Sequence, residues 1–187
     1  MSHNLSERDY LPERRSRYNQ YVIQCCSYEE GEELFTVLKD LDLSMRQQRC
    51  RNMSKHCLGR MKGEQDEILD MSMGHNSHET VILCTPSIEV NKILYQWASG
   101  TRQIKCQNKR SAQKLCQMLN KNGVNQYLVE PVENSPTFVV TCPRSVPATT
   151  AILNFYKKYP NMAQCVDKHY KGFPPGFVQR VTNLHSL

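Results

Sequence analysis

The residues best suited to a chemical task in this sequence are basic side chains that could neutralise phosphate. Between residues 43 and 63 there are six basic residues and no acidic one, and a second basic group lies between residues 102 and 114. Lysine and arginine bind a nucleic-acid backbone by charge, without reading its base sequence. The predicted phosphate contacts are Arg46, Arg49, Arg51, Lys55, Arg60, Lys62, Arg102, Lys105, Lys109, Arg110 and Lys114.

The net charge of +6 is distributed unevenly along the chain. Residues 21–100 contain eight basic and twelve acidic residues, whereas residues 101–187 contain twelve basic and three acidic ones. A basic half predicts a polyanionic or acidic partner. The first hypothesis is a subunit of a multiprotein complex that binds DNA or RNA. The alternative is a protein adaptor whose basic half binds an acidic protein without nucleic acid.

Cysteine and histidine residues offer a second kind of chemistry, a zinc site. The possible ligands are Cys50, His56, Cys57, His75 and His78. They include no CxxC pair, and the spacing from His75 to His78 is shorter than that of a zinc finger, so no metal or other cofactor is predicted. An odd total of nine cysteines and a polar, charged N-terminus are typical of a reducing compartment, and we expect a nuclear or cytoplasmic protein, with the nucleus favoured.

Common catalytic signatures are missing from the sequence. It contains no Gly-rich phosphate loop, nucleophile elbow, HExxH pattern, or kinase or deaminase motif. The acidic cluster Glu29, Glu30, Glu32 and Glu33 opens a predicted helix, where negative charge suits the helix dipole without any catalytic role. The sequence therefore predicts a protein that is not an enzyme.

The elements that must position the basic residues are clearest in residues 101–159. A strand at residues 102–106 is followed by Asn108, a good N-cap, and by an amphipathic helix over residues 109–121 that Gly123 ends. Two further strands and a helix capped by Ser145 complete the order strand, helix, strand, strand, helix.

The same order recurs upstream. Four positions recur at a spacing of 81 residues: Ile23, Cys25, Leu34 and Leu38 match Ile104, Cys106, Leu115 and Leu119. Six more recur at a spacing of 58 residues: Val81, Cys84, Ser87, Ile88, Leu94 and Trp97 match Val139, Cys142, Ser145, Val146, Ile152 and Phe155. We predict an α+β fold built as a pseudo-dimeric tandem β-α-β-β-α repeat, related in element order to ferredoxin-like and RRM modules. One antiparallel-rich sheet is expected to run through both copies, with the helices mostly on one face.

The repeat divides the chain into four parts. These are a flexible arm (1–19), copy one (20–100) with a basic insertion (50–78), copy two (101–159) and a C-terminal tail (160–187) expected to pack on the domain. The second strand of copy one is expected to begin near residue 43. The central strand around Val81 lacks the aromatic residues of an RRM, and no apolar run approaches the ~18 residues of a membrane span, so no membrane association is predicted.

Overall fold

The computed structural model describes residues 7–15, 19–52, 69–166 and 176–183. Over these ranges the chain is an α+β structure with two four-stranded antiparallel sheets. The strands are β1 (Arg14–Arg15), β2 (Gln20–Cys25), β3 (Met71–Asn76), β4 (Glu79–Cys84), β5 (Thr101–Cys106), β6 (Leu128–Pro131), β7 (Phe138–Pro143) and β8 (Ala163–Cys165). The helices are α1 (Glu7–Tyr10), α2 (Tyr28–Asn52), α3 (Ile88–Ala98), α4 (Lys109–Lys121), α5 (Val146–Lys158) and α6 (Phe177–Asn183).

The prediction of one continuous sheet was wrong. The first sheet has the strand order β1-β2-β4-β3 and the second has the order β6-β7-β5-β8. The edge beside β2 is taken by β1, from the segment predicted as an arm, and the edge beside β5 is taken by β8, from the predicted tail. Because β1 and β8 occupy these positions, neither β2 nor β5 has a free edge through which the two sheets could pair. The rest of the described tail, α6, packs on α2 and α3 of the first half.

The first half differs from its prediction at one helix. Helix α2 begins after Ser27, whose hydroxyl accepts a hydrogen bond from the backbone N–H of Glu30 at 3.1 Å. It then continues to Asn52, so the strand expected near residue 43 was wrong. Residues 43–52 include Met, Arg and Gln and contain no Gly or Pro, and these residue types favour continuing the helix. The second strand of this half is β3, Met71–Asn76, which lies inside the predicted insertion (50–78) and forms a hairpin with β4.

The second half follows its predicted elements closely. Asn108 and Ser111 form a reciprocal capping box at the start of α4, with Ser111 N–H donating to Asn108 Oδ1 at 2.9 Å. Gly123 adopts a φ of 79° just beyond the helix end, a conformation that glycine tolerates best. Leu115 and Leu119 of α4 and Phe155 of α5 are fully buried against β5 and β7. The amphipathic spacing therefore identified the faces that form this core.

A close contact between α2 and β4 supplies a stability test in the first half. A Cβ added at Gly31 would clash with Thr80 Cγ2, and Thr80 is buried and hydrogen-bonded through Oγ1 to His75 Nδ1 at 2.8 Å. We expect Gly31→Val to lower the free energy of unfolding by about 1–3 kcal/mol through overpacking. Urea denaturation measures it. The matched control is Gly74→Val on edge strand β3, where a Cβ meets nothing within 4 Å. Equal losses in the two variants would contradict this packing.

Candidate nucleic-acid interface

Helices α4 and α5 carry six of the twelve basic side chains of the second half. The two helices pack against each other, and neither contains an acidic residue. Their exposed or half-buried basic residues are Lys109, Arg110, Lys114, Lys121, Lys157 and Lys158. None of these six side chains forms an ion pair with a residue in the described ranges. Their charges are therefore available to an external anion, and we call these six residues the basic helix layer.

An aromatic ring joins the two helices of this layer. Lys114 Nζ lies 4.4 Å from the centroid of the Tyr159 ring, and Lys158 Nζ lies 5.5 Å from the same centroid. Cation–π attraction favours these positions while leaving the ammonium groups their charge. The ring thereby brings lysines of α4 and of the end of α5 onto one surface.

Lys105 lies on a different surface from the basic helix layer. It is exposed, whereas its neighbours Ile104 and Cys106 on β5 are buried against the helices. Because successive side chains of a strand point to opposite faces, Lys105 belongs to the open face of the second sheet. That face has no aromatic residue on the central strands β5 and β7, so it offers no stacking platform of the RRM type.

Arg102 requires a correction, because it is not a surface phosphate contact. Its side chain is 1% exposed and forms an ion pair with Glu30 of α2. It also donates from Nη1 to Thr149 Oγ1 at 2.7 Å. The inward face of β5 carries Arg102, Ile104 and Cys106, which occupy every second position of the strand. This period of two was the sequence signal that Arg102 is buried.

The predicted basic group of the first half is only partly described. Arg46 is half-buried, and its Nε lies 3.0 Å from Asp42 Oδ2, which neutralises part of its charge. Arg49 and Arg51 are exposed in the last turn of α2, where positive charge suits the helix dipole. Lys55, Arg60 and Lys62 lie outside the described residues.

A buried charge cluster between the two halves was missed at the sequence level. Glu30 is 0% exposed and faces both Arg102 and Arg144, with Arg144 Nε 4.0 Å from Glu30 Oε1. The guanidinium carbons of Arg102 and Arg144 lie 5.9 and 5.4 Å from the ring centroid of Trp97. Cys26 of the first half also packs into the core of the second half. The acidic cluster of α2 was assigned to the helix dipole alone, yet one of its members is an ion-pair partner in the core.

The buried cysteines are poorly suited to nucleophilic or metal chemistry. Burial raises the pKa of Cys84 and of Cys106 to about 12 and the pKa of Cys142 to about 11. Burial also raises the pKa of the Cys26 thiol well above its ordinary value, and nearby Arg102 lowers it only in part. At neutral pH these groups are protonated thiols, whereas nucleophiles and metal ligands are thiolates.

The structure describes only some of the candidate metal ligands. His75 and His78 are described, whereas His56 and Cys57 lie outside the described residues, as does the side chain of Cys50. Among the residues that the structure does describe, no three His, Cys, Asp or Glu side chains are grouped as a metal site would need.

Comparison of the chain with protein-family models, curated proteins and solved structures finds no match. Within the described ranges, no helix combines the length and the apolar character needed to span a bilayer.

Proposed function

We propose that this protein is a non-enzymatic, nucleic-acid-associated module that contacts the phosphate backbone through the basic helix layer. The observation that carries the proposal is a pair of packed helices with exposed basic residues, no acidic residue and no ion pair to the described remainder of the chain. Because none of these side chains belongs to a base-reading motif, the expected binding has little sequence preference. A nuclear multiprotein complex is the setting that we propose.

The proposed architecture behind this site is a tandem repeat. In the second half, strands β8-β5-β7-β6 have the order and antiparallel pairing of a ferredoxin-like sheet. The pair Ile23–Ile82 in the first sheet corresponds to Ile104–Val140 in the second, at the spacings of 81 and 58 residues seen in the sequence. This correspondence supports two copies of one unit, of which the second carries the basic helix layer.

The proposal is tested by replacing three residues of α4 with glutamine in one variant, Lys109→Gln/Arg110→Gln/Lys114→Gln. Glutamine keeps helix propensity, so the fold should survive. Each phosphate contact on double-stranded DNA contributes about 0.9 to the slope of log affinity against log salt, so we expect the slope to flatten by about 2–3. Fluorescence anisotropy with a labelled 20-base-pair duplex, over a salt series, measures it.

A matched control removes the same charge from the other half. The variant Lys39→Gln/Arg49→Gln/Arg51→Gln replaces three exposed residues of α2, two of which, Arg49 and Arg51, are predicted phosphate contacts. If the contacts are confined to the basic helix layer, it should leave the slope unchanged. A slope that flattens only in this control would move the phosphate contacts to the first half. An unchanged slope in the α4 variant would reject the basic helix layer.

A second candidate function, the protein adaptor, is favoured by one observation. Leu128 and Val129 are 55% and 39% exposed on β6, which is an edge strand of the second sheet. An apolar edge strand can pair with an extended segment of a protein partner. An adaptor of this kind would bind neither DNA nor RNA at physiological salt, so the same anisotropy measurement, made with the DNA duplex and with a labelled RNA, separates the two functions.

A further inference from the structure

A groove runs along helix α4 on the side that faces edge strand β6. Its volume is about 580 Å³, within the range of ligand sites. One wall is a row of polar side chains that successive turns of α4 place one above another: Lys109, Gln113, Gln117 and Asn120. At about 1.5 Å per helical residue the row is roughly 16 Å long, which matches about five residues of an extended chain.

The opposite wall is formed by the sheet, and it is apolar. Val129 of β6 pairs in register with Val140 of β7, and directly paired residues of an antiparallel sheet point to the same face. Val140 is fully buried against the helices, whereas Val129 is 39% exposed on that same face. Phe138 and Cys116, both half-buried, add apolar surface to the groove. The groove can therefore bury apolar side chains of a ligand.

The backbone of β6 adds hydrogen-bonding groups beside this groove. Among the described strands β6 pairs only with β7, so within the described ranges its outer edge has no strand partner. An extended segment binds such an edge as a further strand, and its alternate side chains enter a neighbouring groove. Edge and groove together are therefore suited to an extended polypeptide.

The charge of the groove favours an acidic segment. Lys109 is the one charged residue of its described lining, and α4 contains no acidic residue. Lys109 is also the first residue of α4, where the helix dipole adds positive potential. Glu130 lies next to Val129 on β6, but it pairs with Val139 and belongs to the opposite, open face of the sheet. An acidic side chain is therefore stabilised at the end of the groove beside Lys109.

We propose that this groove binds an extended segment of a partner protein, which pairs with β6 as an added strand. Every second side chain of the segment is apolar and lies between α4 and β6, and an acidic side chain lies beside Lys109. The site goes beyond the proposed nucleic-acid function, because Lys109 alone of the basic helix layer lines it and its ligand is a polypeptide.

The probe is a library of random eight-residue peptides, displayed on phage and selected on the immobilised full chain. We expect the selected peptides to share apolar residues at every second position and an Asp or Glu at one end of that pattern. A synthetic, fluorescein-labelled copy of the most enriched peptide then gives a Kd by fluorescence anisotropy. A selection that yields no shared pattern, or a pattern without the alternation, would overturn the proposal.

Two variants on β6 test the position of the peptide. Val129→Asn removes apolar surface from the groove, whereas Leu128→Asn changes the neighbouring residue, which pairs with Thr141 on the opposite face. We expect Val129→Asn to weaken peptide binding by at least about tenfold and Leu128→Asn by less than about twofold. Leu128 is the more exposed of the two, at 55%, so equal losses would indicate adhesion to any apolar part of the edge and overturn the proposal.

The acidic group is tested with Lys109→Gln and with a peptide whose acidic residue is replaced by its amide. Each change should weaken binding by about fivefold, and the two together by no more than one alone, because they remove the same pair. Lys105→Gln removes a charge from the open face of the same half and should leave the Kd unchanged. Independent, additive losses would overturn this placement of the segment.

Two further measurements separate this site from other functions. Val129→Asn keeps every residue of the basic helix layer, so its DNA salt slope should equal that of the unaltered protein. Peptide binding and DNA binding can thus fail independently of each other. Dimerisation in sedimentation velocity that Val129→Asn abolishes would assign the groove to a second copy of the chain and overturn the proposal.

Discussion

Replacing Glu30 with glutamine is expected to lower the free energy of unfolding by about 3–5 kcal/mol, because it leaves two buried guanidiniums without their carboxylate. Glu30, Arg102 and Arg144 are all within 1% of complete burial, so water cannot replace the lost charge. The fold would have to retain the buried charge of Arg102 without its ion-pair partner or open the contact between its halves. Chemical denaturation followed by circular dichroism measures the loss.

The same cluster predicts which of its variants loses the most stability. Glu30 serves both arginines, whereas removing either arginine leaves the other facing the carboxylate. We therefore expect Glu30→Gln to cost more stability than Arg102→Met or Arg144→Met alone. Glu32→Gln, which changes an exposed carboxylate on the same helix, should cost less than about 1 kcal/mol. A loss below about 1 kcal/mol in Glu30→Gln would show that the cluster is not essential to the contact.

The second large effect is a loss of stability in alkaline solution. Burial raises the pKa of Cys84 and of Cys106 to about 12 and that of Cys142 to about 11, whereas an unfolded cysteine has a pKa of about 8.5–9. Above pH 9 the unfolded chain releases these protons and the folded chain keeps them. Stability is therefore fully present below about pH 9, falls as the pH rises, and continues to fall until the pH reaches the folded pKa values.

The size of this effect follows from the three thiols. Each one removes about 1 kcal/mol of stability over the unit from pH 9 to pH 10, so the three together remove about 3 kcal/mol there. Denaturant titrations at pH 8, 9, 9.5 and 10 measure the slope. Cys106→Ala should reduce the loss between pH 9 and pH 10 by about 1 kcal/mol, whatever its stability at pH 8. An unchanged slope in that variant would show that Cys106 ionises normally in the fold.

The helices of the second half were predictable because their signals are local. Asn108 supplies the cap of α4, Gly123 lies just beyond its end, and the apolar spacing of Leu115 and Leu119 defines its buried face. All of this information lies within a few residues of each element. The strand expected near residue 43 was wrong because no residue there ends α2, and the strand signal at residues 71–76 is weak.

The amino-acid sequence by itself determined the α+β class, the helices of the second half and the concentration of positive charge there, since these depend on residue type and local spacing. Only the tertiary structure decided that two sheets form. Strands β1 and β8 are two and three residues long, too short to be recognised from sequence, and they are defined by their pairing with β2 and β5. It also decided that Arg102 belongs to the core. A basic side chain becomes a surface contact or a buried ion pair according to what packs over it, and Glu30, which lies 72 residues away in sequence, is placed there by the folded chain alone.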